Sequence, residues 1–203
     1  MIITNQGHYF LKIQQGDTVV AVNPISKDSS KKSTKFGADI SISSLNHEDL
    51  NGTSEMVFGE KVPFQITGPG EYEVKDITIK GFGSESQYDG DSLINTIYLL
   101  RIEGVNICIL GALGNPKLPE EAIESLEEVD ILFVPVSKDT LSASEAYKVA
   151  VSLEAKLIIP LGEDADLKQF AKEAGSEKVE KLDKLTIKKK DLEGKDGEVF
   201  MFA

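Results

Sequence analysis

Residues 131–161 read ILFVPVSKDTLSASEAYKVAVSLEAKLIIPL, and the order of patterns within that stretch decides the class of fold. Ile131 to Val136 and Leu157 to Leu161 are apolar runs too short for buried helices but of the right length for strands buried on both faces. Between them, Ser142 to Leu153 reads as a helix, so the stretch is a strand, a helix and a second strand. Downstream lies another helix, Asp164 to Ala174, stopped by Gly175. Upstream, Leu118, Ala122, Ile123, Leu126 and Val129 form a helical stripe over Leu118 to Val129, with Pro119 in its first turn and acids toward its positive end.

Further from this centre the patterns become β-rich. Asn95 to Ile102 and Val105 to Leu110 flank Glu103-Gly104, a strong hairpin signal. Val62 to Ile66, Glu71 to Val74 and Ile77 to Gly81 read as a meander, punctuated by Gly68-Pro69-Gly70 and Lys75-Asp76. Near the N-terminus, Ile2 to Thr4, His8 to Ile13 and Asp17 to Val22 read as strands, the last two joined at Gln15-Gly16. Ser26 to Lys35 holds four lysines, four serines and one threonine, a composition that suits an exposed mobile loop. Ala38 to Ser44 resumes a short apolar alternation, and the tail from Val179 to Phe202 reads as two or three short strands. Strands, then alternating strands and helices, then strands again predict a single α/β domain over residues 1–203, a layered sandwich of helices on mixed sheets. The two β-rich stretches are candidates for related halves, a relation that the sequence does not establish.

Bulk properties exclude several classes of function. The 203 residues carry a formal net charge of −12, which opposes nucleic-acid binding, since phosphate contacts need Lys and Arg to replace condensed counterions. The basic run Lys188-Lys189-Lys190 reads as a solvated turn because Asp191 and Glu193 follow at once. No stretch approaches the roughly 20 apolar residues of a membrane helix. The N-terminus lacks the basic flank and apolar region of a secretory signal, so the cytoplasm is the default location. The single cysteine, Cys108, lies in an apolar run and reads as a small core residue. Exposed strands and a β-rich tail leave pairing with a second copy as an expectation.

One cluster invites a chemical reading. His47, Glu48 and Asp49 follow directly on the strand Ala38 to Ser44, and ends of strands are where α/β folds gather ligand-binding groups. The plainer reading of the same residues is a polar turn capped by an acid. Neither a Gly-x-Ser-x-Gly nucleophile elbow nor a phosphate-binding Gly-Lys loop is present. Gly81-Phe82-Gly83 and Gly111-Ala112-Leu113-Gly114 read as turn glycines. Glu71 and Glu73 share one face of a strand and read as a solvent-facing row beside Tyr72.

Several segments taken in order resemble the metallo-β-lactamase superfamily, in particular its small zinc-dependent hydrolases and ascorbate-phosphate lactonase-like proteins. Gly7-His8-Tyr9-Phe10-Leu11 resembles the opening Gly-His strand, and Val22-Asn23-Pro24 the following Asp-Pro turn. Gly68-Pro69-Gly70-Glu71-Tyr72-Glu73-Val74, Asn95-Thr96-Ile97-Tyr98, Leu110-Gly111 and Ile159-Pro160 continue the match over roughly Ile2 to Gly162. The resemblance implies a four-layer αββα sandwich with mixed sheets and a metal-dependent hydrolase.

Active members of that family hold two metals through a His-x-His-x-Asp-His loop, an acid after a later Leu-Gly, and further histidines. Here the loop reads Leu45-Asn46-His47-Glu48-Asp49-Leu50, with leucine at both outer histidine positions. Ala112 follows the Leu-Gly, Asn115 stands at a downstream histidine position, and Gly162 at the last. His47 and Asp49 alone survive, and the resemblance assigns them to different metals. Four good ligands hold structural zinc with ~10–16 kcal/mol, so an equal share leaves one retained ligand roughly 3–4 kcal/mol, a dissociation constant of about a millimolar or weaker. The expectation is therefore a pseudoenzyme that needs no cofactor, a binding or structural module for an unknown small molecule or protein. The alternative is a hydrolase with a rebuilt mononuclear zinc site from His8, His47 and Asp49, assisted by Glu48 or Asn115. Metal-independent catalysis by Asp49, Glu48 or Tyr72 is a third reading, and His8 by itself reads as a hydrogen-bonded structural residue.

Overall fold

The computed structural model describes every residue except 127, 177 and 180. In chain order the first strands are β1 (Ile2–Asn5), β2 (Leu11–Gln15), β3 (Thr18–Val22), β4 (Ile40–Ile42) and β5 (Phe64–Ile66). Next come β6 (Gly70–Val74), β7 (Ile77–Ser86), β8 (Leu93–Ile102) and β9 (Val105–Ile109). Then α1 (Glu120–Ser125), β10 (Ile131–Val136), α2 (Ala143–Ser152), β11 (Leu157–Gly162) and α3 (Asp164–Glu173) alternate. Among the described residues the tail holds four two-residue strands, β12 (Lys181–Leu182), β13 (Leu185–Thr186), β14 (Glu198–Val199) and β15 (Met201–Phe202), where two or three were expected. One sheet has the order β13-β1-β2-β3-β4-β5, a second the order β14-β11-β10-β9-β8-β7-β6, and β12 pairs with β15. Both large sheets are mixed, so the expected α/β sandwich is the fold observed.

Side-chain alternation along the strands builds the layers. Ile131 and Phe133, Ile107 and Ile109, Leu157 and Ile159 face inward and meet Leu11, Ile13, Val20, Val22, Ile40 and Ile42 of the first sheet in one core. Their neighbours Leu132, Val134, Cys108 and Ile158 face outward, under Ala122 of α1, Ala146 and Val149 of α2 and Phe170 of α3. All three helices thus cover the second sheet. The outer face of the first sheet is covered instead by loop segments and the short 3-10 turn Thr53–Met56, where Phe10, Val19 and Ala21 pack with Ile25, Phe36, Ala38 and Met56.

The two sheets repeat one plan. In the first, β1, β2 and β3 are antiparallel neighbours and β3, β4 and β5 run parallel. In the second, β7, β8 and β9 are antiparallel and β9, β10 and β11 parallel. A buried aspartate precedes the middle parallel strand of each. Asp39 accepts from Val19 N at 2.8 Å, and Asp130 from Asn106 N at 2.8 Å. The Asp39 and Asp130 amides donate back to the carbonyls of those same residues, Val19 and Asn106. Their carbonyls accept from Phe64 N and Leu157 N, the first residues of the next parallel strands. Each carboxylate also holds two lysines, Lys61 and Lys75 at Asp39, Lys156 and Lys189 at Asp130. The bonds around these acids therefore relate β1 to β5 with β7 to β11, a second half that includes the alternating strands and helices rather than one of the two β-rich stretches.

Several local expectations need correction. Gly81-Phe82-Gly83 is no turn but the middle of β7, because Gly81 lets the Tyr98 ring lie across it; a Cβ there would meet Tyr98 Cε1 at 2.9 Å. The helix expected over Leu118 to Val129 is only Glu120–Ser125, although Leu126 and Val129 remain buried. His8 lies in a turn with φ of 53°, and its strand starts at Leu11. Lys189, read as part of a solvated turn, reaches across to Asp130 at 2.6 Å. No helix among the described residues is long and apolar enough to cross a membrane.

Candidate functional site

Hydrogen bonds tie the end of β4 both to the end of β3 and to the second sheet, and so place the loop that follows it. Asn23, with φ of 52°, accepts from Ser44 N at 2.8 Å through its side chain. Thr96 N donates to Ser44 O at 2.7 Å, and the Asn95 side chain joins Leu110 O and Ala112 N. Leu45 forms a bridge with Asn95. The chain then turns through His47, Glu48 and Asp49, and Asp49 N donates to His47 Nδ1 at 3.2 Å. The plainer reading of a polar turn is therefore true of the backbone. One ring nitrogen of His47 is committed to the turn itself, and the other stands 3.7 Å from Asp89.

Asp49 is buried, and both its oxygens are engaged by side chains. Oδ1 accepts from Ser29 Oγ at 2.5 Å, and Oδ2 accepts from the Tyr88 hydroxyl at 2.8 Å. The Lys31 ammonium stands 3.7 Å from Oδ2. Burial pushes the Asp49 pKa up, but the Ser29 and Tyr88 hydrogen bonds and the Lys31 charge outweigh it and hold the carboxyl below its ordinary value. Burial and the bond to Asp49 push Tyr88 well above the ordinary phenol range, so it is a donor rather than a nucleophile.

His8 reaches the same phenol, with Nε2 at 2.7 Å from the Tyr88 hydroxyl. Since the single phenolic proton goes to Asp49, the His8 bond must come from an Nε2–H, which assigns the tautomer. Burial first, then the Lys31 charge, lowers the His8 pKa to about 4, so the ring is neutral at pH 7. His8, His47 and Asp49 thus gather around Tyr88, the His47 ring packing edge-on against it at 4.9 Å between centroids. Of these, His8 and Asp49 meet on the phenol oxygen that lies between them. Neither Tyr88 nor the Ser29 and Lys31 contacts were visible in the sequence. Tyr88 is a lone aromatic in a polar run, a weak signal, and Ser29 and Lys31 lie in the segment that read as a mobile loop.

The remaining positions are not donors. Leu45, Leu50 and Ala112 are buried in the core. Gly162 lines the cleft but has no room for a side chain, since a Cβ there would lie 2.2 Å from Val136 O. Asn115 is exposed and lines another cavity with Ser84 and Lys117, while its side chain accepts from Lys117 N. Tyr72 lies at the sheet edge, bonded to Gly68 O, remote from the Asp49 cluster. Among the described residues, no three His, Cys, Asp or Glu side chains form a group that could hold a metal ion. The donor set does not fit the metal centre that the resemblance implies. Beside it lies a cavity of about 290 Å³, lined by His8, Tyr9, Lys31, Tyr88, Gly162 and Asp166 among others.

Residues 2–162 match the family described as "Beta-lactamase superfamily domain". A structure from Thermotoga maritima, described as a Zn-dependent hydrolase of the metallo-beta-lactamase superfamily, is 25% identical, with a TM-score of 0.73 over 99% of this chain and 98% of that one. A metallo hydrolase from Ignicoccus hospitalis is 17% identical, with a TM-score of 0.63 over 92% of this chain and 99% of the other. A protein from Parabacteroides distasonis described as a metal-dependent hydrolase aligns at 17% identity, with a TM-score of 0.67 over 98% and 91% of the two chains. No curated protein matches the chain.

Proposed function

We propose that this chain, which belongs to the beta-lactamase superfamily, is a metal-free and catalytically silent member that works as a binding module, with the cavity beside Tyr88 receiving a small polar ligand. The observation that carries this reading is the state of Asp49. A metal-binding carboxylate must offer lone pairs to the ion, and here Ser29, Tyr88 and Lys31 already claim both oxygens. Zinc at Asp49 would have to share the carboxylate with those hydrogen bonds inside a buried site and would place a second cation beside Lys31. Without a bound metal there is neither a Lewis acid nor a metal-generated hydroxide. Tyr88, raised far above the ordinary range, is no substitute nucleophile.

The competing reading, a hydrolase with a mononuclear site from His8, His47 and Asp49, has one observation in its favour: His8 and Asp49 come from distant parts of the chain and share one phenol oxygen. Elemental analysis of the protein purified without chelator separates the two. The binding-module reading expects zinc, manganese and iron far below one per chain, and silence toward ester, lactone and phosphodiester substrates. One metal per chain, reduced in His47→Ala, would defeat the metal-free reading, and turnover of one of those substrates would then favour the hydrolase.

A further inference from the structure

The segment from Ser26 to Lys35 has no regular secondary structure, yet it is fastened at several points. Ser26 N donates to Glu48 O at 2.8 Å, and Gly52 N donates to Pro24 O at 2.8 Å, so the segment's start is bonded to both ends of the turn that carries Asp49. Gly52 allows this approach. A Cβ there would stand 2.6 Å from Ile25 O and 2.7 Å from Ser26 N, inside contact distance of the backbone. Ser33 Oγ donates to Ile25 O at 3.0 Å and Lys31 N to Ser29 Oγ at 3.0 Å, which folds the segment back on itself. That fold aims Ser29 and Lys31 together at Asp49. The Lys31 and Asp49 side chains are 32% and 11% exposed, so the pair is more shielded than an ordinary surface bridge.

We propose that Ser26 to Lys35 is a strap that occupies the former metal cleft, and that the Lys31 ammonium is the protein's own replacement for the metal charge at Asp49. This rests on the metal-free reading above and adds to it the group that took the ion's place. A buried carboxylate in this fold needs a cation beside it, and a side chain tethered 18 positions upstream provides one without depending on metal supply. The strap docks through Gly52, and Ser29 completes the shell around the carboxylate. When the strap is docked, Asp49 has no free oxygen. The strap therefore closes off the Oδ1 side of the carboxylate, while Tyr88 holds Oδ2.

A double-mutant cycle on the metal-free protein tests this, with Lys31→Met, Asp49→Asn and the pair together, followed by urea unfolding. Lys31→Met is expected to lower the folding equilibrium constant about tenfold in the wild-type background and by less than about twofold when Asp49 is Asn. Lys31→Arg, which keeps the charge, should stay within about threefold of wild type, and Lys32→Met, exposed in the same strap, should have no effect. If Lys31→Met does not fold, rescue by adding Asp49→Asn supports the proposal, and failure of that rescue overturns it. Equal effects of Lys31→Met in both backgrounds, or equal losses in Lys31→Met and Lys31→Arg, also overturn it. As a second readout, Gly52→Ala should speed amide exchange across the strap, and unchanged exchange there would contradict the docking. Stoichiometric zinc in the wild-type protein would remove the metal-free reading and this proposal together, whereas additive effects in zinc-free protein remove the proposal alone.

Discussion

A phenol that donates to a carboxylate and accepts from an imidazole holds two side chains at a fixed separation. Tyr88 does this between Asp49 and His8, and its ring also packs edge-on against His47. Tyr88→Phe keeps the ring but strands a buried acceptor and a buried donor, so the expected loss is about 1–3 kcal/mol in urea unfolding. An unchanged midpoint would mean that solvent satisfies both groups. At this scale the sequence showed part of the site. His47 and Asp49 sit two apart in one turn, so their proximity was legible from spacing. Tyr88, Ser29 and Lys31 arrive from separate segments, and no local pattern links them to Asp49. His8 was expected as a hydrogen-bonded residue, and its partner is that unforeseen tyrosine.

Among the elements, the two buried aspartates are the joints on which the parallel strands start. Asp39 holds Val19 N and the ammonium groups of Lys61 and Lys75. Burial alone would raise its pKa, but the two lysines and the Val19 amide outweigh this and lower it to about 2. A carboxyl depressed in the folded state contributes stability above its unfolded pKa of about 3.9, and that contribution is lost as pH falls through the folded value. Asp39→Asn is therefore expected to be less stable at pH 7. Between about pH 4 and pH 2 its urea midpoint should fall less than that of wild type; parallel profiles would show that Asp39 is not the linked group. Gly81→Ala tests another joint. The new methyl would press on Tyr98 Cε1 at 2.9 Å and Thr96 Cγ2 at 3.0 Å, for an expected loss of about 1–3 kcal/mol by thermal or urea unfolding. The strand-helix-strand core and the Glu103-Gly104 hairpin were readable because their signals are local. Both hairpin residues take positive φ, as such a turn requires. Gly81 was misread because its cause lies across the sheet in Tyr98, and the outer layer of the first sheet could not be read because its cover has no periodicity.

For the molecule as a whole, the apolar core shared by the two sheets reaches the edge of the Asp49 site. The inward faces of both sheets share one apolar core, and Leu45, Leu50 and Ala112 belong to it or line its edge. Leucine at that boundary adds buried area, at roughly 25 cal/mol per Å² of apolar surface covered. On the proposed metal-free reading, that area and the Lys31 bridge hold this edge of the sandwich without an ion. The order of segments made the architecture legible; at the site only the His47 to Asp49 turn was legible, because the groups around Asp49 are spread over residues 26–35 and the run around Tyr88. The most direct test of this account is a calorimetric zinc titration of the metal-free wild-type protein at neutral pH. The account expects no binding tighter than about a millimolar. One site per chain at micromolar affinity, abolished by Asp49→Ala, would contradict it.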